Sequence, residues 1–286
     1  MRYGINTLLW TAGFDGSHLD LLPKFREWGF DAAEVARFEF DSFPAAEVRR
    51  GIESAGLEAV FCSALTGSTS VVSDDAAVRD RAVAFLRQGI ETAAAIGAST
   101  FVGPFCAPVG LLPGRRRTTD EWKYAVEGLQ KLGPVLDEYK VDLALEPLNR
   151  FETYFLNTAA DAVQLCEEVG HSRIGILFDT FHANIEEKDI ANALRSCGRH
   201  LKHVHTCEND RGVPGSGHVE WTEVLGALAE TGYDKVASIE SFGARIPEIA
   251  AAACIWRDLA PNSDAIAAEG LRFLKSRMAQ TAAAFH

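Results

Sequence analysis

Five ionisable residues, Glu34, Glu146, Asp179, His205 and Glu240, each stand at or near the C-terminal edge of a short apolar run. A charge in that position is costly to bury unless a metal, a partner or a substrate meets it. Four of them, Glu146, Asp179, His205 and Glu240, belong to four successive runs and bring three carboxylates and one imidazole together. That donor set suits a divalent ion of intermediate hardness, such as Mn2+, Co2+ or Mg2+. Zinc fits less well, because the set has no thiolate and only one histidine. The bland reading pairs each acid with a neighbouring Lys or Arg. It serves for any one of them and falls behind for four in register.

More polar residues lie just beyond these edges. After Glu146 comes Pro147, which cannot donate to a sheet ladder and so ends the strand, then Asn149, Arg150 and Glu152. Asp179 is followed by Thr180-Phe181-His182, and His205 by Glu208, Asp210, Arg211 and the glycine-bearing stretch 212–217. His203 shares a strand face with His205 but lies deeper, where packing or a hydrogen bond is expected rather than ligation. Trp10, Phe14, Phe105, Phe151, Phe181 and Phe242 fall near the same edges, and are expected to form a wall that keeps water out.

The elements that must position these groups are legible as short apolar runs alternating with amphipathic ones. Strands are predicted at 2–7, 32–36, 58–64, 100–104, 142–146, 175–179, 201–205 and 236–240. Helices are predicted at 20–28, 44–55, 78–96, 119–139, 159–169, 189–197 and 221–231, with a loop and a last helix over 258–286 whose AAAFH end frays. Gly29, Gly56, Gly97, Gly170 and Gly232 each follow a helix, the usual stop signal. Eight strands with helices between them predict a parallel α/β fold, and the count favours a closed (β/α)8 TIM barrel as a single domain over 1–286. An open doubly wound sheet is the competitor, but no GxGxxG or GxxxxGK[ST] supports it. The Ser/Thr-rich piece 66–73 and the loop 104–120 are long enough to serve a site at the barrel mouth.

Bulk properties bound the partners. The 286 residues carry a formal net charge of −12, which argues against a nucleic-acid backbone. The run Arg115-Arg116-Arg117 reads as a solvated loop rather than a phosphate clamp. Six scattered cysteines without a CxxC pair read as reduced thiols. There is no secretory pattern at the N-terminus and no apolar stretch of the roughly 20 residues a membrane span needs. A cytoplasmic protein with no membrane partner is expected.

The segments LEPLNRFET, LFDTFHANIEE, HVHTCENDRGVPGSGHVEW and IESF resemble the ketose 3-epimerases (the D-tagatose and D-allulose, or D-psicose, 3-epimerases), which are xylose-isomerase-like TIM barrels. The resemblance extends from the first strand to IWRDLAPNSD, near the C-terminus. It implies that Glu146, Asp179, His205 and Glu240 hold a divalent metal, usually Mn2+, and that Glu146 and Glu240 are the acid/base pair. It also implies that Glu152, His182 and Arg211 bind a free ketose near O1 to O3, that a cis-enediolate forms, and that the chain is a homodimer or homotetramer. Two departures touch the sugar rather than the metal. GPFCAPVGLLPGRRR lacks a tryptophan that several of these epimerases carry, and ESF replaces the EPF of some members. Another sugar isomerase of the same superfamily, of the hydroxypyruvate isomerase or inosose isomerase/dehydratase type, is the alternative.

Overall fold

A computed structural model describes residues 1–242 and 245–284 and shows eight parallel strands closing in sequence order into one barrel. The strands are β1 (Arg2–Asn6), β2 (Ala32–Ala36), β3 (Glu58–Cys62), β4 (Thr100–Gly103), β5 (Asp142–Leu145), β6 (Ile174–Asp179), β7 (Leu201–His205) and β8 (Val236–Ile239). The helices are α1 (Leu21–Trp28), α2 (Ala45–Ser54), α3 (Ala76–Ala95), α4 (Thr119–Gln130), α5 (Gly133–Tyr139) and α6 (Ala159–Val169). They continue with α7 (Thr180–Glu186), α8 (Ile190–Cys197), α9 (Trp221–Glu230), α10 (Pro247–Ala252) and α11 (Ser263–Ala284). The closed barrel predicted from the alternation is therefore present, and the ring of helices covers its outer face.

Two apolar cores result. The larger lies between barrel and helices, with Val35, Phe61, Phe101, Leu143 and Ile176 on its strand side. The smaller fills the barrel itself with Ala32, Ala36, Val60, Cys62, Val102, Ala144, Leu177 and Val236. Strand side chains alternate between these two environments. Positions two along from the interior residues therefore also face inward, and that is where Glu34, Glu146, Asp179 and Glu240 occur.

Three local outcomes differ from expectation. The helix expected over 119–139 is two helices, because Pro134 in the first turn of α5 has no N–H with which to continue the ladder of α4. Helix α7 was not anticipated: Asp179 ends β6 and also caps this helix, its Oδ1 accepting from the Phe181 N–H at 2.7 Å. Several strands stop one or two residues short of their predicted ends, including β5 at Leu145 and β8 at Ile239, so Glu146 and Glu240 sit just past the ladder. The five glycines predicted to end helices all hold positive φ. The fraying expected at AAAFH falls on residues 282–286, of which the last two lie outside the described residues, and α11 runs to Ala284.

Gly103 shows how tightly the mouth is built. Its φ of +146° is open to glycine, and a Cβ there would lie 1.9 Å from the Ser63 carbonyl oxygen. Its own carbonyl accepts from the Glu146 N–H at 3.0 Å, fixing the backbone of the first candidate ligand. Gly103→Ala is expected to destabilise the protein by about 3 kcal/mol, from a strained φ plus overpacking. In a chain of this size that lowers the thermal midpoint by roughly 6–12 °C. A midpoint within a degree of the parent would contradict this account.

Candidate active site

The four residues expected to converge do so. One ligand atom from each of Glu146, Asp179, His205 and Glu240 lies within 4.8 Å of the other three, and all four residues are buried. His205 Nδ1 is 3.3 Å from Glu240 Oε2 and 3.7 Å from both Glu146 Oε1 and Asp179 Oδ2. Neither His205 Nδ1 nor Glu146 Oε1 has a hydrogen-bond partner among the described residues, although both are sealed from solvent. Buried polar atoms are normally paired, so two orphans facing each other mark a place built for something else. Three carboxylates and an imidazole nitrogen directed at one point fit a divalent cation.

Electrostatics support the same reading. Burial, with the Glu240 charge adding to it, pushes the Glu146 carboxyl up to about 8, so it holds a proton at neutral pH. Burial opposes charge on Asp179 too, but the Arg211 guanidinium overrules it and holds this carboxyl well below its usual range. Burial also works against a charged His205, yet Glu240 and Glu34 raise it well above the ordinary imidazole value. Without an added ion, the cluster therefore balances itself with protons and with Arg211. The Arg211 Nη1 donates to Asp179 Oδ2 at 2.9 Å and to Glu240 Oε2 at 2.7 Å.

Glu34, expected at a strand edge, lies in the middle of β2 and has a different task from the acids at the strand ends. Its Oε1 is 2.8 Å from His205 Nε2 and its Oε2 is 2.8 Å from His203 Nε2. Asn6 Nδ2 donates to Glu34 Oε1 at 2.7 Å and reaches Glu240 Oε1 at 3.3 Å. Burial disfavours this carboxylate, but the two imidazoles outweigh it and keep its pKa well below normal. A carboxylate on the far nitrogen of a metal-ligating histidine fixes the ring and leaves the near nitrogen free. His203 is thus within hydrogen-bond distance of Glu34, as expected.

Above the cluster lies a cavity of about 340 Å3 lined by Glu146, Glu152, His182, Arg211 and Glu240, as well as by Leu8, Phe38 and Ile249. The Asn149 backbone N–H donates to His182 Nδ1 at 3.1 Å, so the neutral ring carries its hydrogen on Nε2. Burial keeps this ring neutral, with its pKa lowered to about 3. Nε2 lies 3.6 Å from Glu146 Oε1 and 3.1 Å from Arg211 Nη2. Two donors that close cannot satisfy each other, and an oxygen placed before both would serve both. The Arg211 guanidinium lies over the Phe181 ring at 4.1 Å and over the Phe242 ring at 4.7 Å, which favours its charge. Glu152 accepts from Asn149 Nδ2 at 2.7 Å, and burial raises its pKa.

Other expectations need correction. Of the six aromatics placed at the mouth, only Phe181 and Phe242 line this cavity. Phe14 and Phe105 are in the outer core, Trp10 packs on Phe25 and Trp28, and Phe151 is exposed. Glu208 faces away from the site and binds the backbone N–H groups of Asn209, Gly215 and Val219 and the Trp221 indole, which folds the 206–220 loop. Arg115 and Arg117, expected in a solvated loop, pair with Glu121 and Asp161 and pin the long loop. The sequence reading missed Phe38, Leu8, Ile249 and Ser63, whose buried Oγ has no partner and which borders the cavity. Apolar residues carry no chemical signal of their own. The six cysteines are all free, as expected.

The chain matches the family described as xylose isomerase-like TIM barrel over residues 22–277. It is 34% identical to a probable ketose 3-epimerase of Synechocystis sp. over 275 residues, 96% of each chain. It is 31% identical to the L-ribulose 3-epimerase of Mesorhizobium japonicum, across 96% of this chain and 93% of that one. Its structure is similar to that of D-allulose 3-epimerase from Methylomonas sp. in complex with D-allulose. That comparison has a TM-score of 0.92 and 27% identity, covering 97% of both chains.

Two measurements test the centre. Because Glu146 and His205 both hold protons at neutral pH, binding of Mn2+ at pH 7 is expected to release about two protons. The number falls towards one as pH rises through 8, where Glu146 is already ionised. Calorimetry in buffers of different ionisation enthalpy counts them, and a count near zero would refute the assignment. Glu34→Gln removes the charge behind His205, and should weaken Mn2+ binding about 10–100-fold while the barrel stays folded. Unchanged affinity would show that Glu34 does not orient the histidine.

Proposed function

This chain belongs to the xylose isomerase-like TIM barrel family and, as an isomerase-class enzyme, to its ketose 3-epimerases, and from that membership we propose that it inverts C3 of a free ketose. The observation that carries the proposal is the pair Glu146 and Glu240. They stand past β5 and β8, flank Asp179 and His205, and border the same cavity. Inverting a carbon requires a proton to leave one face and return to the other, which takes two groups. Moving a proton between adjacent carbons of an aldose–ketose pair requires only one.

We assign Glu146, Asp179, His205 and Glu240 to a divalent ion, with Mn2+ first and Co2+ or Mg2+ as substitutes. When bound, such an ion supplies Lewis acidity that polarises a ketose carbonyl and acidifies the neighbouring C–H. The residues of the chain do the rest. His182 Nε2 and Arg211 Nη2 offer converging donors to substrate oxygen near the reacting carbon, where negative charge develops in a cis-enediolate. Glu152, holding a proton more readily than usual because it is buried, meets a hydroxyl. One of the two glutamates takes the C3 proton and the other returns one, and their roles exchange with the direction of reaction. Phe181, Phe242 and the apolar residues above exclude water that would quench the carbanion.

The lining also supports an unphosphorylated substrate. Four carboxylates border the cavity, Glu146, Glu152, Glu240 and Glu248, against one cation, Arg211, already engaged by Asp179 and Glu240. Beyond the ion assigned to the cluster, a phosphate dianion would find no unengaged Lys or Arg in this lining to balance its charge. Among the described residues no helix is long and apolar enough to cross a membrane. A cytoplasmic homodimer or homotetramer is part of the same proposal.

The test is exchange in D2O with Mn2+ and D-psicose, D-tagatose, D-fructose or L-ribulose, followed by NMR. The C3 epimer with deuterium at C3 is expected; an aldose product labelled at C2, or unchanged ketose, would overturn the reading. Glu146→Gln and Glu240→Gln should each cut kcat by about 10²–10⁴-fold in a folded protein. Near-parental turnover in either would remove it from the acid/base pair.

A further inference from the structure

The end of the barrel opposite the candidate active site contains a second cavity, of about 250 Å3, where the strands begin. Its charged lining comprises Arg2, Lys140, Arg173, Lys202 and Lys235 with Glu58 and Asp142, which leaves three positive charges in excess. The whole chain carries a net charge of −12, so this local excess runs against the rest of the molecule.

The two acids do not use up the donors. Asp142 alone serves three cations, with Arg173 at 3.3 Å on Oδ1, and Lys202 at 3.2 Å and Lys235 at 3.3 Å on Oδ2. Glu58 is taken by Arg2. An ammonium group has three N–H donors. Lys202 donates to the Ser172 carbonyl at 2.8 Å and pairs with Asp142 at 3.2 Å, while Lys235 donates to Asp142 Oδ2 at 3.3 Å. Lys140 meets no carboxylate within 4 Å among the described residues. Arg173 is the least available, since Asp137 holds it from outside at 3.2 Å. Lys202 is mostly buried, its side chain 12% exposed, so the repulsion among these cations is incompletely screened.

We propose that this cavity binds a small oxyanion of the phosphate class, either as the free ion or as the phosphoryl group of a metabolite. Lys140, Lys202 and Lys235 would supply the charge and the N–H donors. Phosphate matches such a set because it presents several acceptor oxygens and more than one negative charge. The carboxylate-lined mouth repels the same anion, so the two ends of the barrel select opposite chemistries. Occupancy here should leave the ketose cavity free.

Calorimetry and thermal unfolding on the full chain, loaded with its divalent ion and dialysed free of excess, test this. Inorganic phosphate and D-fructose 6-phosphate are titrated separately, with NaCl holding ionic strength constant. The expected result is saturable binding of one anion per chain, a midpoint that rises with ligand concentration, and no displacement by D-psicose. Comparable affinity for both ligands assigns the site to a phosphoryl group in general, and binding of inorganic phosphate alone assigns it to the free ion. Lys140→Ala/Lys235→Ala changes two lysines at the cavity rim and should weaken binding at least tenfold without shifting the unliganded midpoint. A lower unliganded midpoint is answered by Lys140→Gln alone, which must still weaken binding. Absence of saturation at matched ionic strength, unchanged affinity in the variants, or displacement by D-psicose would each overturn the proposal. None of these results depends on whether the ketose is turned over.

Discussion

The rest of the molecule depends on balancing charge that has been buried inside the barrel. Glu34, Glu146, Asp179 and Glu240 are carboxylates with almost no exposure to solvent, grouped around three imidazoles and one guanidinium. Four acids left to themselves at this depth would cost far more than a domain's net stability. The fold divides the problem. Glu34 is met from below by His203 and His205, Asp179 and Glu240 are held by Arg211, and Glu146 keeps a proton. Each of these arrangements leaves the facing atoms of Glu146 and His205 unpaired. A centre that satisfies itself only in part is ready to exchange protons for a cation.

The scaffold turns a simple periodicity into this geometry. Interior positions on the strands alternate with positions in the outer core, and the last interior position of several strands is polar where the preceding one is apolar. Ala144 precedes Glu146 and Leu177 precedes Asp179 by two residues, while Glu34 sits deeper, between the interior residues Ala32 and Ala36. Asp179 does double duty as a cluster member and as the cap of α7, and this carries His182 back over the site within one helical turn. Gly103 places its carbonyl under the Glu146 N–H at a φ that only glycine accepts easily. Glu208, buried away from the chemistry, folds the loop that presents Arg211. Arg211 itself has φ +66°, a left-handed conformation, with two aromatic rings against its guanidinium and two carboxylate partners.

The two ends of the barrel differ in charge for reasons that belong to different parts of the sequence. The mouth is acidic because the cluster and its lining are, with Glu152 and Glu248 added from the loop and helix above. The far end is basic because strand starts carry Arg2 and Lys202, and the turns before them carry Lys140, Arg173 and Lys235. One overall net charge therefore conceals two opposed fields, a reminder that composition bounds partners without locating them.

Much of the site could be read from the residues in order. Strand ends in a parallel barrel face one mouth, so Glu146, Asp179, His205 and Glu240 could be grouped by counting strands, and His203 could be set apart by its depth. The fold class followed from apolar periodicity and the helix-ending glycines, both of which are local properties of the chain. Other features were decided by contacts between residues far apart. Glu34 was indistinguishable from the other strand-end acids until the barrel closed and set it against two histidines 169 and 171 residues away. Phe14 and Phe105 matched Phe181 and Phe242 in type, yet face the helices, because one step along a strand or loop exchanges interior for exterior. Sequence determines which side chains are available and the period at which they recur. Only closure of the barrel decides which of them meet, because hydrogen bonding, burial and pKa are properties of pairs brought together in space.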